Sequence, residues 1–213
     1  KQLTSVDSPL AEEKYLVVEG PGETTFIEAA YRAPAAWHKD FYILSVIDSL
    51  LTGPSGLNMF GGGGISNRTS RMYQSMVESE TVISVFGSLQ ATIDPFLYTI
   101  NSTVHPANTP EAALQKLDDE IKRIQNEVVP ADEIRRAVKQ ARALFAYGTE
   151  NITNQAFWLG YAEMFDRYEW FLNYIDNLEA VTPADIQRVA QEYLDPSRRV
   201  VGIYKPTLQE GIA

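Results

Sequence analysis

A catalytic centre in this chain of 213 residues would first be sought among its histidines, cysteines and acidic residues. The chain contains two histidines, His38 and His105, which are distant in sequence and lie in neither H-E-x-x-H nor H-x-x-E-H. It contains no cysteine, which excludes thiolate zinc sites, disulfides and cysteine nucleophiles. A zinc site takes three or four histidine, cysteine or acidic ligands, so we expect no metal or other cofactor in this chain. We interpret His38, which precedes Asp40 and a helical pattern, as a surface or helix-start residue.

A run of four glycines is the second feature that could carry chemistry, because glycine-rich turns can hold phosphate groups. The run comprises Gly61, Gly62, Gly63 and Gly64. A Walker loop requires lysine after its last glycine, whereas Ile65, Ser66 and Asn67 follow this run. We interpret the glycines as a flexible loop before a helix that Ser66 or Asn67 caps. An anion-binding module built from Gly61 to Ser66 stays open as a further hypothesis.

The composition disfavours several other functions. No G-x-S-x-G nucleophile elbow occurs, so a serine hydrolase is not predicted. The net charge is −10 and the isoelectric point is about 4.7, which disfavours nucleic-acid binding because phosphates require a cationic surface. No apolar run is long enough to span a membrane, and no signal peptide is visible.

The elements that would position functional residues begin with strands in the first half of the chain. Alternating or short apolar patterns between turn residues predict strands over 14–20, 24–34, 81–91, 96–105 and, near the end, 198–206. In the third of these strands, Ile83, Val85 and Leu89 are predicted to face the core. The opposite face of that strand would carry Ser84, Phe86, Ser88 and Gln90.

The second half of the chain is predicted to be mostly helical. Thr109 caps a helix that Pro110 opens, and its apolar repeat continues to Val128. A capping box from Thr182 to Asp185 opens the last helix. Further helical patterns cover 41–51, 68–78, 131–145 and 153–166.

This distribution of elements predicts an α+β fold. Strands that bunch together instead of alternating with helices are typical of a largely antiparallel sheet with helices on one face. We see no linker or repeat, so residues 1–213 are predicted to form a single domain. The chain begins at Lys1 and not at methionine. We therefore expect it to be a piece of a longer polypeptide.

Three stretches carry a resemblance to a known family. They are GGGGISNRTSRMYQSMVES at 61–79, VISVFGS at 82–88 and AVTPADIQRVAQEYLDPSRRVVGIYKP at 180–206. The chain thereby resembles the pitrilysin/insulinase family of zinc metallopeptidases, which includes mitochondrial processing peptidase. The resemblance implies a half-enzyme of two α+β domains, with zinc held by H-x-x-E-H in the first. This chain lacks that motif and so resembles the second, non-zinc-binding domain. The resemblance thus implies that residues 1–213 are the C-terminal domain of a longer, two-domain chain.

The resemblance also bears on substrate binding. Some family members place an arginine and, further on, a tyrosine after the glycine-led helix, where they bind the substrate backbone. Matching the S-R-[LM]-Y pattern onto this chain puts that pair at Val77 and Ser84, whose side chains cannot perform the role. The substrate clamp is therefore not retained. The resemblance further implies that the strand face with Ser84, Phe86, Ser88 and Gln90 lines a peptide chamber, and a solvated sheet face is the alternative.

The function implied is that of a non-catalytic domain of a zinc-dependent peptidase, which supports the peptide chamber and a dimer interface. Zinc would lie in the missing domain or in a partner subunit that carries H-x-x-E-H, in a homo- or heterodimer. This chain alone would be inactive, although its parent would be a metalloendopeptidase. The alternative is a catalytically inactive scaffold subunit of the same family. The implied compartment is the bacterial cytoplasm or periplasm.

Overall fold

The computed structural model of the protein describes residues 8, 10–54 and 68–207, and these residues contain a five-stranded sheet. The strand order across the sheet is β1-β5-β2-β4-β3. β1 pairs in parallel with β5, and the other neighbouring pairs are antiparallel. The predicted α+β class with a largely antiparallel sheet is confirmed. The strands are β1 (Lys14–Pro21), β2 (Phe26–Ala33), β3 (Val82–Leu89), β4 (Phe96–Val104) and β5 (Arg199–Thr207).

Seven α-helices lie within the described residues, and local signals explain how several of them begin. The Thr109 side chain accepts a hydrogen bond from the Ala112 N–H, and Thr182 and Asp185 form the predicted capping box. His38 caps the first helix by accepting a hydrogen bond from the Asp40 N–H. The helices are α1 (Lys39–Leu51), α2 (Pro110–Asn126), α3 (Ala131–Gly148), α4 (Ile152–Phe165), α5 (Tyr168–Leu172), α6 (Tyr174–Glu179) and α7 (Pro183–Tyr193).

The hydrophobic core lies between the helices and one face of the sheet. β2 shows the alternation that produces this arrangement: Ile27, Ala29 and Tyr31 are buried, while Phe26 and Glu28 are exposed. Burying a large aliphatic side chain contributes roughly 1.5–3 kcal/mol, so the two-residue period decides which face of each strand turns inward. The helices therefore cover one face of the sheet and leave the other open.

Some element boundaries differ from the predictions. α2 ends at Asn126, and Val128 is exposed rather than part of the buried stripe, because Pro130 disfavours continuation of a helix into it. The helix predicted over 68–78 is shorter in the structure: a brief helical start continues as a five-residue π-helix, Tyr73–Val77. α5 and α6 were not predicted, since each is shorter than the window in which a helical period can be recognised.

An aromatic cluster joins the helices to each other. Rings of α1, α3, α4, α5 and α6 contact one another, including Trp170 stacked near Tyr42 at 5.9 Å between centroids. The Trp170 Nε1–H donates to the carbonyl oxygen of Ala36 at 2.8 Å, which satisfies its one polar group. Aromatic pairs add roughly 0.5–1.5 kcal/mol each beyond the area that they bury. The cluster thus explains why the helical half of this chain is rich in aromatic residues.

A buried ion pair ties the first helix to the last. The Arg188 guanidinium donates to both carboxylate oxygens of Asp40, at 2.5 and 3.1 Å, and Asp40 is 2% exposed. Burial alone would raise the pKa of Asp40, but the hydrogen bonds and positive charge of Arg188 outweigh burial and hold this pKa below its usual value. A folded-state pKa below the unfolded value of about 3.9 stabilises the fold at neutral pH. That stabilisation is lost as the pH falls through the folded-state pKa.

Replacing Arg188 by methionine is expected to lower the free energy of unfolding by about 2 kcal/mol at neutral pH, because it leaves Asp40 charged and buried. The effect stays below that of a fully buried pair because the Arg188 side chain is 41% exposed. The difference from the wild type should shrink as the pH falls through the folded-state pKa of Asp40, because a protonated Asp40 needs no counter-ion. Urea unfolding at several pH values measures this. Arg167→Met, at an exposed arginine, is the control. The prediction is contradicted if the loss of unfolding free energy in Arg188→Met does not change with pH, or if Arg167→Met loses as much.

Candidate functional site

The open face of the sheet carries side chains in cross-strand rows, and the central row runs across all five strands. Pairing places Leu16 beside Gly202, Gly202 beside Glu28, Glu28 beside Asn101, and Asn101 beside Phe86. Gly202 has no side chain, and a Cβ built on it would meet nothing closer than the Glu28 carbonyl oxygen at 3.9 Å. The row is therefore low at Gly202, between Leu16 and Glu28, and it ends in an apolar side chain on each side, Leu16 and Phe86.

The neighbouring row forms one wall of this depression. It consists of Val18, Tyr204, Phe26, Thr103 and Ser84, again as successive partners across the strands. The rings of Phe26 and Tyr204 lie 6.2 Å apart between centroids. The Tyr204 hydroxyl donates to the carbonyl oxygen of Pro21 at 2.8 Å, which holds its ring in place. The Ser84 hydroxyl donates to Thr103 Oγ1 at 3.0 Å.

Together the two rows enclose a shallow groove with a volume of about 460 Å³. Its walls are mostly apolar, and Glu28 is the one charged side chain among the described residues that line it. The Asn101 amide lies beside Glu28 and donates to Thr99 Oγ1 at 3.1 Å. Among the described lining residues no histidine, lysine or second carboxylate accompanies Glu28, so the groove suits binding rather than acid–base catalysis. We therefore treat this groove, hereafter the sheet groove, as the candidate functional site.

The structure puts three of the four residues predicted for a chamber-facing strand on this open face. Ser84, Phe86 and Ser88 alternate along β3 and pair with Thr103, Asn101 and Thr99. Gln90 lies just beyond the end of β3 at Leu89, so it is exposed but does not belong to the strand. Whether this face lines a chamber stays a prediction.

One core residue of β3 was predicted wrongly. Ile83 is 53% exposed, whereas Val82 and Val85 are buried. The cause is an irregularity in the ladder, where Val82 pairs with Val104 and Ser84 with the next residue, Thr103, so that Ile83 is the extra residue of a β-bulge. A bulge changes the alternation locally, which a strict two-residue period does not reveal.

The positions matched to the substrate clamp lie on different elements. Val77 ends the π-helix and packs against the core, and Ser84 lies in β3 on the open face. Their roles in substrate binding stay predictions. The glycine run, its proposed caps Ser66 and Asn67, and the anion-binding hypothesis all lie outside the described residues.

Both histidines have local structural roles. His38 caps α1 as predicted, and the His105 Nδ1 accepts a hydrogen bond from the Ala107 N–H at 3.2 Å. Across residues 10–54 and 68–207, no group of three or more histidine, cysteine or acidic side chains is placed to hold a metal ion. The described residues therefore do not fit a zinc site. No helix in the same ranges is long and apolar enough to cross a membrane.

A second exposed surface lies at the edge of the sheet. β1 carries four consecutive large apolar side chains, Tyr15, Leu16, Val17 and Val18, each 47–59% exposed. Successive strand residues point to opposite faces, so β1 is apolar on both faces. Among the described elements β1 pairs with β5 alone, and its other edge is free. Edge strands are usually protected by charge, proline or a covering element, so this strand has the character of an interface.

Sequence reasoning missed most of the sheet groove. Leu16, Phe26, Glu28, Gly202 and Tyr204 come from strands at opposite ends of the chain, and no local pattern indicates that these strands are neighbours. The alternation of exposed and buried residues in β2 could have marked Phe26 and Glu28 as members of one face. The parallel pairing of β1 with β5 has no comparable local signal.

The fold matches that of solved peptidase-like proteins. A protease from Helicobacter pylori superposes with a TM-score of 0.80 at 17% identity, over 93% of this chain and 45% of that one. The peptidase M16 inactive domain from Pseudomonas fluorescens superposes with a TM-score of 0.76 at 15% identity, over 98% of this chain and 47% of that one. The inactive peptidase domain of a zinc protease from Bordetella parapertussis superposes with a TM-score of 0.73 at 22% identity, over 91% of this chain and 99% of that one. The chain thus spans about half the length of the first two proteins and nearly all of the third.

The fold therefore defines a class, the α+β domains that occur in peptidase-like proteins. Residues 2–141 match the family model for the peptidase M16 inactive domain, and the chain belongs to that family. The resemblance of the sequence to a second, non-zinc-binding peptidase domain is confirmed. Among curated proteins no sequence matches the chain.

Proposed function

We propose that this chain is the non-catalytic, C-terminal domain of a zinc-dependent peptidase, and that its open sheet face forms one wall of a peptide-binding chamber. The observation that carries the proposal is the sheet groove, an apolar depression on the side of the sheet that the helices leave uncovered. A structural domain with no ligand would gain nothing from exposing Phe26, Phe86 and Leu16 on one face of the sheet.

The chemistry of the groove suits an extended peptide of mixed sequence. Apolar walls accept side chains with little discrimination, and Glu28 and Asn101 offer a hydrogen-bond acceptor and an amide on the floor. The low floor at Gly202 lets a peptide backbone approach the sheet closely. Such a surface would hold an unfolded substrate weakly while cleavage occurs elsewhere.

Cleavage would depend on a second domain or subunit that carries H-x-x-E-H and holds the zinc. The proposed contact with it is β1, whose four exposed apolar side chains and free edge suit a large interface in a homo- or heterodimer or within a longer chain. Alone, this chain is expected to hydrolyse no peptide and to retain no stoichiometric zinc after purification without chelators. Stoichiometric zinc would contradict this assignment of roles.

The groove is tested by filling it. Gly202→Val places a side chain in open space on the groove floor, and valine is favoured in strands, so the fold should be kept. We expect the affinity for a fluorescein-labelled, unstructured peptide of about ten residues with two aromatic side chains to fall roughly tenfold. Fluorescence anisotropy measures the affinity, and thermal unfolding checks the fold.

Gly160→Ala in α4 is the control, because a Cβ built on that glycine meets no atom within 4 Å and the residue does not line the groove. It should leave peptide affinity unchanged. If Gly202→Val binds the peptide as well as the wild type does, the sheet groove is not the peptide site. If the wild-type chain binds no such peptide and its co-purifying partner lacks H-x-x-E-H, the scaffold alternative replaces the proposal.

A further inference from the structure

A second groove lies in the helical layer, between α3 and the segment that joins α6 to α7. Its volume is about 630 Å³, within the range of pockets that enclose ligands. The floor is apolar and is formed by Ile134 and Val138 of α3 together with Val181 and Pro183. We call it the α3 groove. It lies on the helical side of the molecule and shares no residue with the sheet groove.

Basic side chains border the α3 groove along its length. Arg135, Lys139 and Arg142 lie on successive turns of α3 and span about 10 Å along the helix axis. Arg142 pairs with Glu179 across the groove. Among the described residues, neither Arg135 nor Lys139 forms an ion pair, and both are exposed. Two free cations beside an apolar floor are unusual in a chain with 28 acidic and 18 basic residues.

Among the described residues that line this groove, Glu179 is the one acidic side chain. Glu179 is held by Arg142, and Asp185 at the start of α7 accepts hydrogen bonds from the Thr182 N–H and hydroxyl. The described lining residues comprise three cations and one carboxylate, so their summed charge is positive, although the net charge of the whole chain is −10. An acidic partner would be repelled by most of the surface and attracted here, which provides specificity and orientation.

We propose that the α3 groove docks an acidic, amphipathic helical segment of a partner protein. The apolar floor would receive residues spaced by three and four along that segment. Carboxylates on its flank would lie one turn apart, in register with Arg135 and Lys139. The geometry thus assigns this chain a protein-docking surface separate from the proposed chamber wall, and this assignment does not depend on peptidase activity.

The test uses a fluorescein-labelled helical peptide of about sixteen residues, with leucines on one face and glutamates beside them. Its counterpart carries lysine in place of every glutamate. We expect the acidic peptide to bind the chain at least roughly tenfold more tightly than the basic one, by an interaction that weakens as salt is added. Equal binding of the two peptides, or no binding of either, would overturn the proposal.

Two variants locate the binding. Arg135→Glu with Lys139→Glu removes the free cations, and Ala131→Phe fills one end of the groove at an exposed position. Each change is expected to weaken binding of the acidic peptide about tenfold. Lys122→Glu, an exposed charge reversal on α2, is the control and should bind normally. Thermal unfolding of each variant separates a lost site from a lost fold.

Other occupants give different results. If the chain self-associates with rising concentration and Ala131→Phe prevents it, the occupant is a second copy and the proposal fails. If anionic vesicles bind through Arg135 and Lys139 while the acidic peptide does not bind, the surface faces a membrane and the proposal fails. Loss of peptide binding in both groove variants, with the control unchanged, supports the docking site.

Discussion

Replacing Arg199 by methionine is expected to lower the free energy of unfolding by about 3 kcal/mol. The Arg199 side chain is 1% exposed and joins four separate parts of the chain. Its Nε donates to Glu13 at 2.6 Å and its Nη1 to the Tyr31 hydroxyl at 2.8 Å. The guanidinium also donates to both carboxylate oxygens of Asp118 in α2.

The large effect follows from what the substitution leaves behind. Burial alone would lower the pKa of Arg199, but its hydrogen bonds to Asp118 and Tyr31 and the surrounding charges raise it, so the guanidinium stays charged in the fold. Burial raises the pKa of Tyr31 to about 12, so this partner stays neutral. Without Arg199, the Glu13 and Asp118 carboxylates lose a shared counter-ion while they remain largely buried. Their partial exposure keeps the cost near the lower end of the 3–5 kcal/mol range for broken buried pairs.

Urea unfolding followed by circular dichroism measures this loss. Arg198→Met is the matched control, because the adjacent arginine is 60% exposed and contacts Asp195 only across one helical turn. It should change the unfolding free energy by less than about 0.5 kcal/mol. Adding Asp118→Leu to Arg199→Met should recover part of the loss, since an apolar pair leaves less uncompensated charge. Equal losses in the two arginine variants would show that the buried network contributes little.

Replacing Gly87 by alanine is the second substitution with a large expected effect, about 3 kcal/mol of lost stability. A Cβ on Gly87 would lie 1.8 Å from Asp48 Oδ1 and 2.8 Å from Thr52 Oγ1. Both side chains are buried at the end of α1 and share hydrogen bonds. Thr52 donates to Asp48 at 2.8 Å, and the Tyr98 hydroxyl donates to the same oxygen at 2.9 Å.

The cost arises because this cluster cannot move without losing partners. The Gly87 N–H donates to Thr52 Oγ1 at 3.0 Å, so the cluster also holds the edge strand β3 against α1. Shifting Asp48 breaks hydrogen bonds within the core, and shifting β3 moves Phe86 at the end of the sheet groove. Gly87 does not have a positive φ, so the effect is a steric one and not one of backbone strain.

Gly202→Ala provides the control for this substitution. It is also a strand glycine, but its built Cβ has no neighbour closer than 3.9 Å. We expect its stability to be unchanged or raised by about 0.5 kcal/mol, since alanine restricts the unfolded chain. Calorimetric melting temperatures of the two variants compare them directly. A Gly87→Ala protein as stable as the wild type would show that Asp48 and Thr52 can rearrange freely.

The two proposals assign different surfaces to different partners. The sheet groove lies on the open face of the sheet and would hold unfolded peptide, whereas the α3 groove lies among the helices and would hold an acidic helix. Gly202→Val and Ala131→Phe therefore act as mutual controls. Each should weaken one binding activity about tenfold and leave the other unchanged. Loss of both activities in one variant would indicate a damaged fold.

The amino-acid sequence by itself determined the local elements and the family. Thr109 and the capping box at Thr182 begin helices because their side chains satisfy backbone N–H groups within the same turn. The alternation of residues in β2 predicts which of its faces is buried, because each strand turns its own apolar side chains toward the core. The absence of H-x-x-E-H, with three family-typical stretches, was enough to indicate the non-zinc domain.

Only the tertiary structure decided which strands are neighbours. Periodicity states which side chains turn inward, but pairing depends on register and on contacts between distant parts of the chain. The bulge at Ile83, the parallel pairing of β1 with β5 and the Arg199 network had no local signature for that reason. Both grooves exist because separate elements leave space between them. Their positions thus follow from packing, a property of the folded chain as a whole.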